Sequence, residues 1–336
     1  MFTARRIAVT AAVLAVAVVS LAAAGCGSSS AAGGDSDKLT LVAYSTPREA
    51  YEALIPAFQK TAAGKGVSFD QSYGASGDQS RAVDGGLPAD VVAFSLAPDI
   101  TRLVDSGLVS KDWAAGEHKG MVTDSVVVFV VRKGNPKGIK TWDDLLGDGI
   151  EVINPNPFTS GGARWNVMAA YGAQQKLGKS DDEAVDYLKE LFGHIPVQDK
   201  SAREALQTFV GGKGDVMLAY ENEAITAQQK GEDIDYVVPD QTILIENPAA
   251  VTTDASTKAK AFLDYLTTPA AQKIFAEKGY RPVVKDAAPD VTFPDPPQLF
   301  TIDDLGGWDS VMEKFFDRDA GIVAKIEQDM GVSTDS

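Results

Sequence analysis

From Leu39 to Lys278 the chain alternates short apolar runs with stretches whose apolar residues recur at helical spacing. Leu39–Tyr44 reads as a buried strand. Glu49 to Thr61 follows, with Tyr51, Leu54, Ile55 and Phe58 on one helical face. Val67–Tyr73 alternates as a strand, a helix opens at Ser76, and Asp90–Phe94 is a third strand. That order predicts a parallel sheet with crossover helices. The pattern breaks after Val126–Val131, at Arg132-Lys133-Gly134-Asn135-Pro136, and then restarts. Strands are expected at Ile150–Ile153, Ile195–Gln198 and Asp215–Tyr220, with helices from Gly162 and from Ala202. Ile234–Val238 and Thr242–Ile245 follow as apolar runs, and Thr257 to Lys278 is again helical. A restart inside an alternation predicts a second sheet inserted into the first. The expected fold is therefore α/β with two lobes, each with a parallel-type sheet. One lobe comprises residues 38–128 and 243–336, the other residues 129–242. Two hinge strands join them, and a ligand cleft lies between. A chain of 336 residues is also longer than one hydrophobic core comfortably serves.

The N-terminus is a processing segment rather than part of the fold. Arg5 and Arg6 precede an uncharged run from Ile7 to Ala24, and small residues lead to Cys26. Residues 1–25 resemble a bacterial lipoprotein signal, with Cys26 as the lipidated first residue of the mature chain. Cys26 is the only cysteine, which suits acylation better than a disulfide or a thiolate metal site. The alternative is an uncleaved membrane helix, for which the run is just long enough. Residues 26–37, rich in Gly and Ser, then form a flexible tether. This places a soluble body on the extracytoplasmic (periplasmic) face of the cell membrane, membrane-anchored by lipid. Net charge is −16, and losing the leader makes it more negative still. Such a chain does not suit nucleic acid. It does nothing at long range for an anion either, so an anionic ligand needs local donors.

Four junctions share one grammar of strand, short loop and capped helix start. They are Thr46-Pro47-Arg48-Glu49, preceded by Ser45; Ser76-Gly77-Asp78-Gln79; Ser160-Gly161-Gly162-Ala163; and Ser201-Ala202-Arg203-Glu204. In an open α/β sheet the carboxyl ends of the strands face one crevice. The helix starts then aim unpaired N–H groups and the positive ends of their dipoles into it. Small residues such as Gly161, Gly162 and Ala202 let backbone approach a ligand. Capping boxes are common in α/β proteins, so this pattern by itself is suggestive of a compact oxyanion and no more.

Catalytic patterns are missing. The two histidines, His118 and His194, sit in no motif and read as surface or loop residues. There is no metal-ligand spacing. Gly74-Ala75-Ser76-Gly77 is not a nucleophile elbow, and Gly211-Gly212-Lys213-Gly214 is not a phosphate-cradling loop. The chain is not expected to be an enzyme or to carry a cofactor or metal.

Asn156-Pro157-Phe158-Thr159-Ser160-Gly161-Gly162-Ala163-Arg164 resembles the Asn-Pro-Lys-Ser-Ser-Gly-Gly-Ala-Arg signature of the sulfate- and thiosulfate-binding proteins of bacterial ABC importers. Gln71–Gln79, Ala89–Val92, Val131–Pro136, Glu221–Ala224, Tyr280–Pro282 and Leu299–Asp303 match that family in the same order. The resemblance implies a type II periplasmic-binding-protein fold, a monomer that captures sulfate, and permease and ATPase subunits as partners. It also implies a site of neutral donors: the N–H groups of Ser45, Ser76, Gly161, Gly162 and Ala202, the Ser160 hydroxyl, and an aromatic at Tyr220, where the family usually has Trp. Arg48, Arg164 and Arg203 are implied as braces of loop carbonyls or of the lobe interface. Thiosulfate, molybdate or another tetrahedral oxyanion are alternative ligands on the same fold. Ferric ion, held by tyrosinate and carboxylate ligands, is a further alternative ligand. A lipoprotein hydrolase is the alternative of another class. A donor-only cleft would favour unprotonated sulfate over hydrogenphosphate, whose proton needs an acceptor.

Overall fold

A computed structural model describes residues 38–334. The leader, Cys26 and the tether lie outside the described residues. The first part of the chain forms β1 (Lys38–Tyr44), α1 (Arg48–Gln59), β2 (Ser68–Gly74), α2 (Ser76–Asp84), β3 (Val91–Ala93) and α3 (Ala97–Asp105). β2 and β3 both lie parallel to β1. The second part forms β4 (Met121–Arg132), β5 (Val152–Ile153), α4 (Gly161–Lys176), α5 (Asp181–Gly193), α6 (Ala202–Val210), β6 (Val216–Tyr220), α7 (Glu221–Gln229) and β7 (Ile234–Val237). The chain returns through β8 (Gln241–Val251) and ends in α8 (Thr257–Leu266), α9 (Pro269–Glu277), β9 (Gln298–Phe300), α10 (Gly307–Phe316) and α11 (Ile322–Asp329).

The strands follow the path β2-β1-β3-β8-β4-β6-β5, with β7 on β4 and β9 on β8. β4 and β8 are the long members, and each belongs to both halves. The start of β4 pairs with β8, and its end pairs with β6 and β7. The far end of β8 pairs with β3. All four of these pairings are antiparallel, so parallel sheets are joined by two antiparallel crossing strands. This is the two-lobed type II arrangement.

The apolar patterns explain which faces are covered. Leu39, Leu41 and Ala43 of β1 pack with α1, α8 and α9, whereas Val42 faces α3. On β4, Val127, Phe129 and Val131 join one core, and Val126, Val128 and Val130 join another. A strand covered on both faces needs no polar alternate, hence its unbroken apolar run. α4 is buried from Gly161 to Gln174 and forms the centre of the larger core. Phe300, Phe315 and Phe316 pack into that same core, so the C-terminal helices lie on the α4 and α5 side of the molecule.

Two expected elements differ. Ile195–Gln198 is irregular rather than a strand; Pro196 has no N–H to give a ladder. The helical stretch from Thr257 is interrupted before Pro269, where Thr268 accepts from the Ala271 N–H at 3.3 Å and caps a fresh helix.

Candidate functional site

The site is built by the loops that follow β1 and β5, by the end of β6 and by the starts of α2, α4 and α6. On the α4 side, two loops are stitched together before they reach their helices. Asn156 N–H donates to the Asp199 carbonyl at 2.8 Å, and the Thr159 hydroxyl donates to the Lys200 carbonyl at 2.7 Å. Asn166 of α4 anchors the assembly from below, donating to Asn154 and to the Leu218 carbonyl. Arg164, buried, donates from Nε to the Pro157 carbonyl at 2.8 Å and lies over Phe316. Burial pulls its guanidinium down to about 10.

The four helix starts behave in two ways. Ser160 accepts from Ala163 N–H, and Ser201 forms a capping box with Glu204, as their sequences predict. The other two expected caps are replaced. α1 has no side-chain cap, because Glu49 binds Arg203 and Lys230 instead. Ser76 is the first residue of α2 rather than its cap. Its hydroxyl donates to Asp99 at 2.6 Å and accepts from Ser95 N–H. In both cases a charged or buried partner outcompetes a local cap.

Ser160, Gly162, Ala202 and Tyr220 meet closely. A Cβ placed on Gly162 would lie 3.5 Å from Ser160 Oγ, 3.5 Å from Tyr220 Cε1 and 3.6 Å from Ala202 Cβ. Gly161 is tighter, since a Cβ there would fall 2.8 Å from Ser95 Oγ and 2.5 Å from Leu96 Cδ2. Ser45 joins from the opposite side through Arg203, whose Nε and Nη2 both donate to the Ser45 carbonyl at 3.2 Å. Gly77 N–H donates across to the Thr159 carbonyl. Arg48 is exposed and stacks on Tyr73, at the mouth of a cavity of about 390 Å³ that Ser45 and Arg203 also line.

Ser45, Ser76, Gly161, Gly162 and Ala202 are buried. Their N–H groups donate to no acceptor among the described residues. Buried main-chain donors are nearly always paired, so five unpaired ones at adjoining loop ends are a strong departure.

Ser95 was not legible in the sequence as part of this cluster. Its N–H is held by Ser76, its carbonyl by Trp165 Nε1 at 2.8 Å and Asn247 Nδ2 at 2.9 Å, and its Oγ lies 2.6 Å from the Tyr220 hydroxyl. The available signal is positional: Ser95 follows β3 as Ser45 follows β1. Glu223, buried beside Tyr220, accepts the Tyr220 N–H, and burial pushes it up to about 7. His194 meets the Ile150 carbonyl through Nδ1, and His118 lines a separate surface cavity. No group of three or more metal-ligating side chains occurs among the described residues.

Residues 39–281 match the bacterial extracellular solute-binding protein family. The chain is 40% identical to a sulfate-binding protein of Synechococcus elongatus over 97% of each sequence. It is 39% identical to a sulfate-binding protein of Escherichia coli over 83% of this chain and 90% of that one. It is 37% identical to a thiosulfate-binding protein of Pseudomonas aeruginosa over 85% of this chain and 90% of that one. Among solved structures, the sulfate-binding protein of Mycobacterium tuberculosis superposes with a TM-score of 0.81 at 49% identity, covering 83% of this chain and 99% of that one. A periplasmic thiamin-binding protein shares the fold alone, at a TM-score of 0.62 and 18% identity. A fold of two joined lobes, unpaired amides at their meeting point and these relatives agree: the chain belongs to the bacterial extracellular solute-binding proteins, a non-enzymatic class, in the family of the sulfate- and thiosulfate-binding proteins.

Proposed function

We propose that this protein captures sulfate outside the cytoplasmic membrane and delivers it to the permease and ATPase subunits of an importer. The observation that carries this reading is the set of five buried N–H groups, on Ser45, Ser76, Gly161, Gly162 and Ala202, without protein acceptors. The Ser160 hydroxyl and the Tyr220 phenol complete the donor set. Seven hydrogen bonds to a dianion, each contributing roughly 1.5–3 kcal/mol net, exceed the roughly 8 kcal/mol of a micromolar complex after ordering costs. Cys26, lipidated, would tether the body near the permease. Residues 129–242 would move against the remainder about β4 and β8, and closure would bury the anion.

Calorimetric titration with sulfate, thiosulfate, molybdate and phosphate tests the reading. Sulfate is expected to bind at micromolar concentration or better, and phosphate more than tenfold more weakly. Failure of every oxyanion to bind would sink it. Thiosulfate is kept as a second ligand, because a relative of 37% identity is a thiosulfate-binding protein; an equal or tighter thiosulfate isotherm would reassign the chain to it.

Arg203 should matter without touching the anion. It fixes the Ser45 carbonyl and pairs with Glu49, and a planar fork cannot be copied by an ammonium. Arg203→Lys is expected to weaken sulfate binding roughly three- to tenfold, through one loosened loop. An unchanged isotherm would remove Arg203 from the machinery.

A further inference from the structure

The Tyr220 hydroxyl raises a question that the other donors do not. A phenol can accept as well as donate, and an acceptor in the cleft would welcome a protonated oxyanion. We infer that Ser95, held in place by Asn247, is a positioning residue that occupies the acceptor side of the Tyr220 oxygen, so that its O–H is left to face the ligand and the cleft rejects hydrogen-bearing anions. The inference rests on the reading of this cleft as an oxyanion site.

The bonding pattern directs the protons. Thr123 Oγ1 donates to Asn247 Oδ1 at 3.4 Å, which turns the amide nitrogen toward Ser95. That nitrogen donates to the Ser95 carbonyl at 2.9 Å. The main chain of Ser95 is pinned at both ends. Its N–H goes to Ser76, whose own proton is committed to the buried carboxylate of Asp99. Its carbonyl already has Trp165 and Asn247. The Ser95 side chain is therefore fixed behind Gly161 and meets the Tyr220 oxygen at 2.6 Å.

Of the two hydroxyls, the phenol is the stronger acid and the better donor to a dianion. The lower-energy arrangement is a chain in which Ser95 Oγ–H donates to Tyr220, and Tyr220 O–H donates to the ligand. Each bond polarises the next. Both residues are buried, which shields their hydrogen bond from bulk water. The sequence shows only a Tyr; its donor-only behaviour comes from Ser95, which follows β3 and is held by Asn247 of β8.

The test is a double-mutant cycle read in selectivity. Sulfate and hydrogenphosphate are titrated at pH 8 into the wild type, Ser95→Ala, Tyr220→Phe and the double variant, with thermal midpoints recorded to confirm folding. Ser95→Ala frees a lone pair, and the sulfate-to-phosphate affinity ratio is expected to fall at least tenfold. Phe offers no lone pair, so adding Ser95→Ala to Tyr220→Phe should leave the ratio unchanged. Ser95→Thr should restore the wild-type ratio. A wild-type ratio retained in Ser95→Ala overturns the inference while leaving the sulfate reading intact. An equal fall in the Phe background also overturns it, since the effect would then be packing. A wild type that binds no oxyanion overturns the underlying reading and this one with it.

Discussion

Gly162→Asp is expected to abolish sulfate binding while leaving the protein folded. The glycine is the second residue of α4, and a side chain there projects among Ser160, Tyr220 and Ala202. Contacts of 3.5–3.6 Å are ordinary van der Waals distances, so Cβ itself causes no clash. A carboxylate in the first turn of a helix is favourable to the helix, by about 0.3–1 kcal/mol. The same charge set against a dianion is not. Each pair of unit charges at about 4 Å interacts by roughly 4 kcal/mol near a protein surface, which implies a loss of at least ~10³ in affinity. The measurement is a titration paired with a thermal melt. Sulfate affinity within tenfold of the wild type would mean that the anion does not sit where these donors meet.

Gly161 is the poorer test site, although the sequence presents the two glycines as equivalents. Any side chain at Gly161 meets Ser95 and Leu96 at 2.5–2.8 Å. A loss of binding there would confound altered packing with altered charge.

The second large effect is on stability and concerns pH. Burial raises three carboxyls to about 7: Asp124, Glu223 and Glu327. An acid whose folded-state pKa is raised holds a proton that the unfolded chain has already released. Stability therefore falls as pH rises from the ordinary carboxylate range, near 4–4.5, to about 7. Glu49 acts in the opposite sense. Burial works against its charge, but Arg203 and Lys230 outweigh it and hold the carboxyl down to about 2. Its contribution is complete above about pH 4.5 and is lost as pH drops toward 2. The two trends leave a maximum near pH 5.

Glu327 isolates the effect, being fully buried with Oε2 bonded to Gln198 and Oε1 unpartnered. A shift of one pKa unit corresponds to 1.36 kcal/mol; after relaxation of the site, about 1–2 kcal/mol from this residue is a reasonable expectation. Thermal midpoints of the wild type should rise by about 5 °C between pH 8 and pH 5.5, at roughly 2–4 °C per kcal/mol. Glu327→Gln should raise the midpoint at pH 8 and flatten the slope. A wild-type midpoint that is level, or that climbs toward pH 8, contradicts this assignment.

Local pattern carried much of the architecture. The apolar runs of β1 and β4 and the capped starts of α4 and α6 are all visible in the chain. Each depends on neighbours within a few residues and on whether one face or two must leave water. The helix start at Gly161 and Gly162 was legible for the same reason, because a capped start constrains a contiguous stretch.

What tertiary structure decided were the choices among partners distant in sequence. Thr46 and Ser76 look like caps as good as Ser160 and Ser201. Yet Glu49 is taken by Arg203 and Lys230, and the Ser76 hydroxyl by Asp99. A buried or partly buried charge costs more to leave unpaired than a helix start loses without a side-chain cap. Ser95 and Asn247 carry no local signature at all; they acquire a role only where the fold brings Ser95 to Tyr220 and Asn247 to the Ser95 carbonyl. Helices and strands obey short-range rules that the sequence spells out, whereas the direction of a shared proton is set by which polar groups the fold happens to bury side by side.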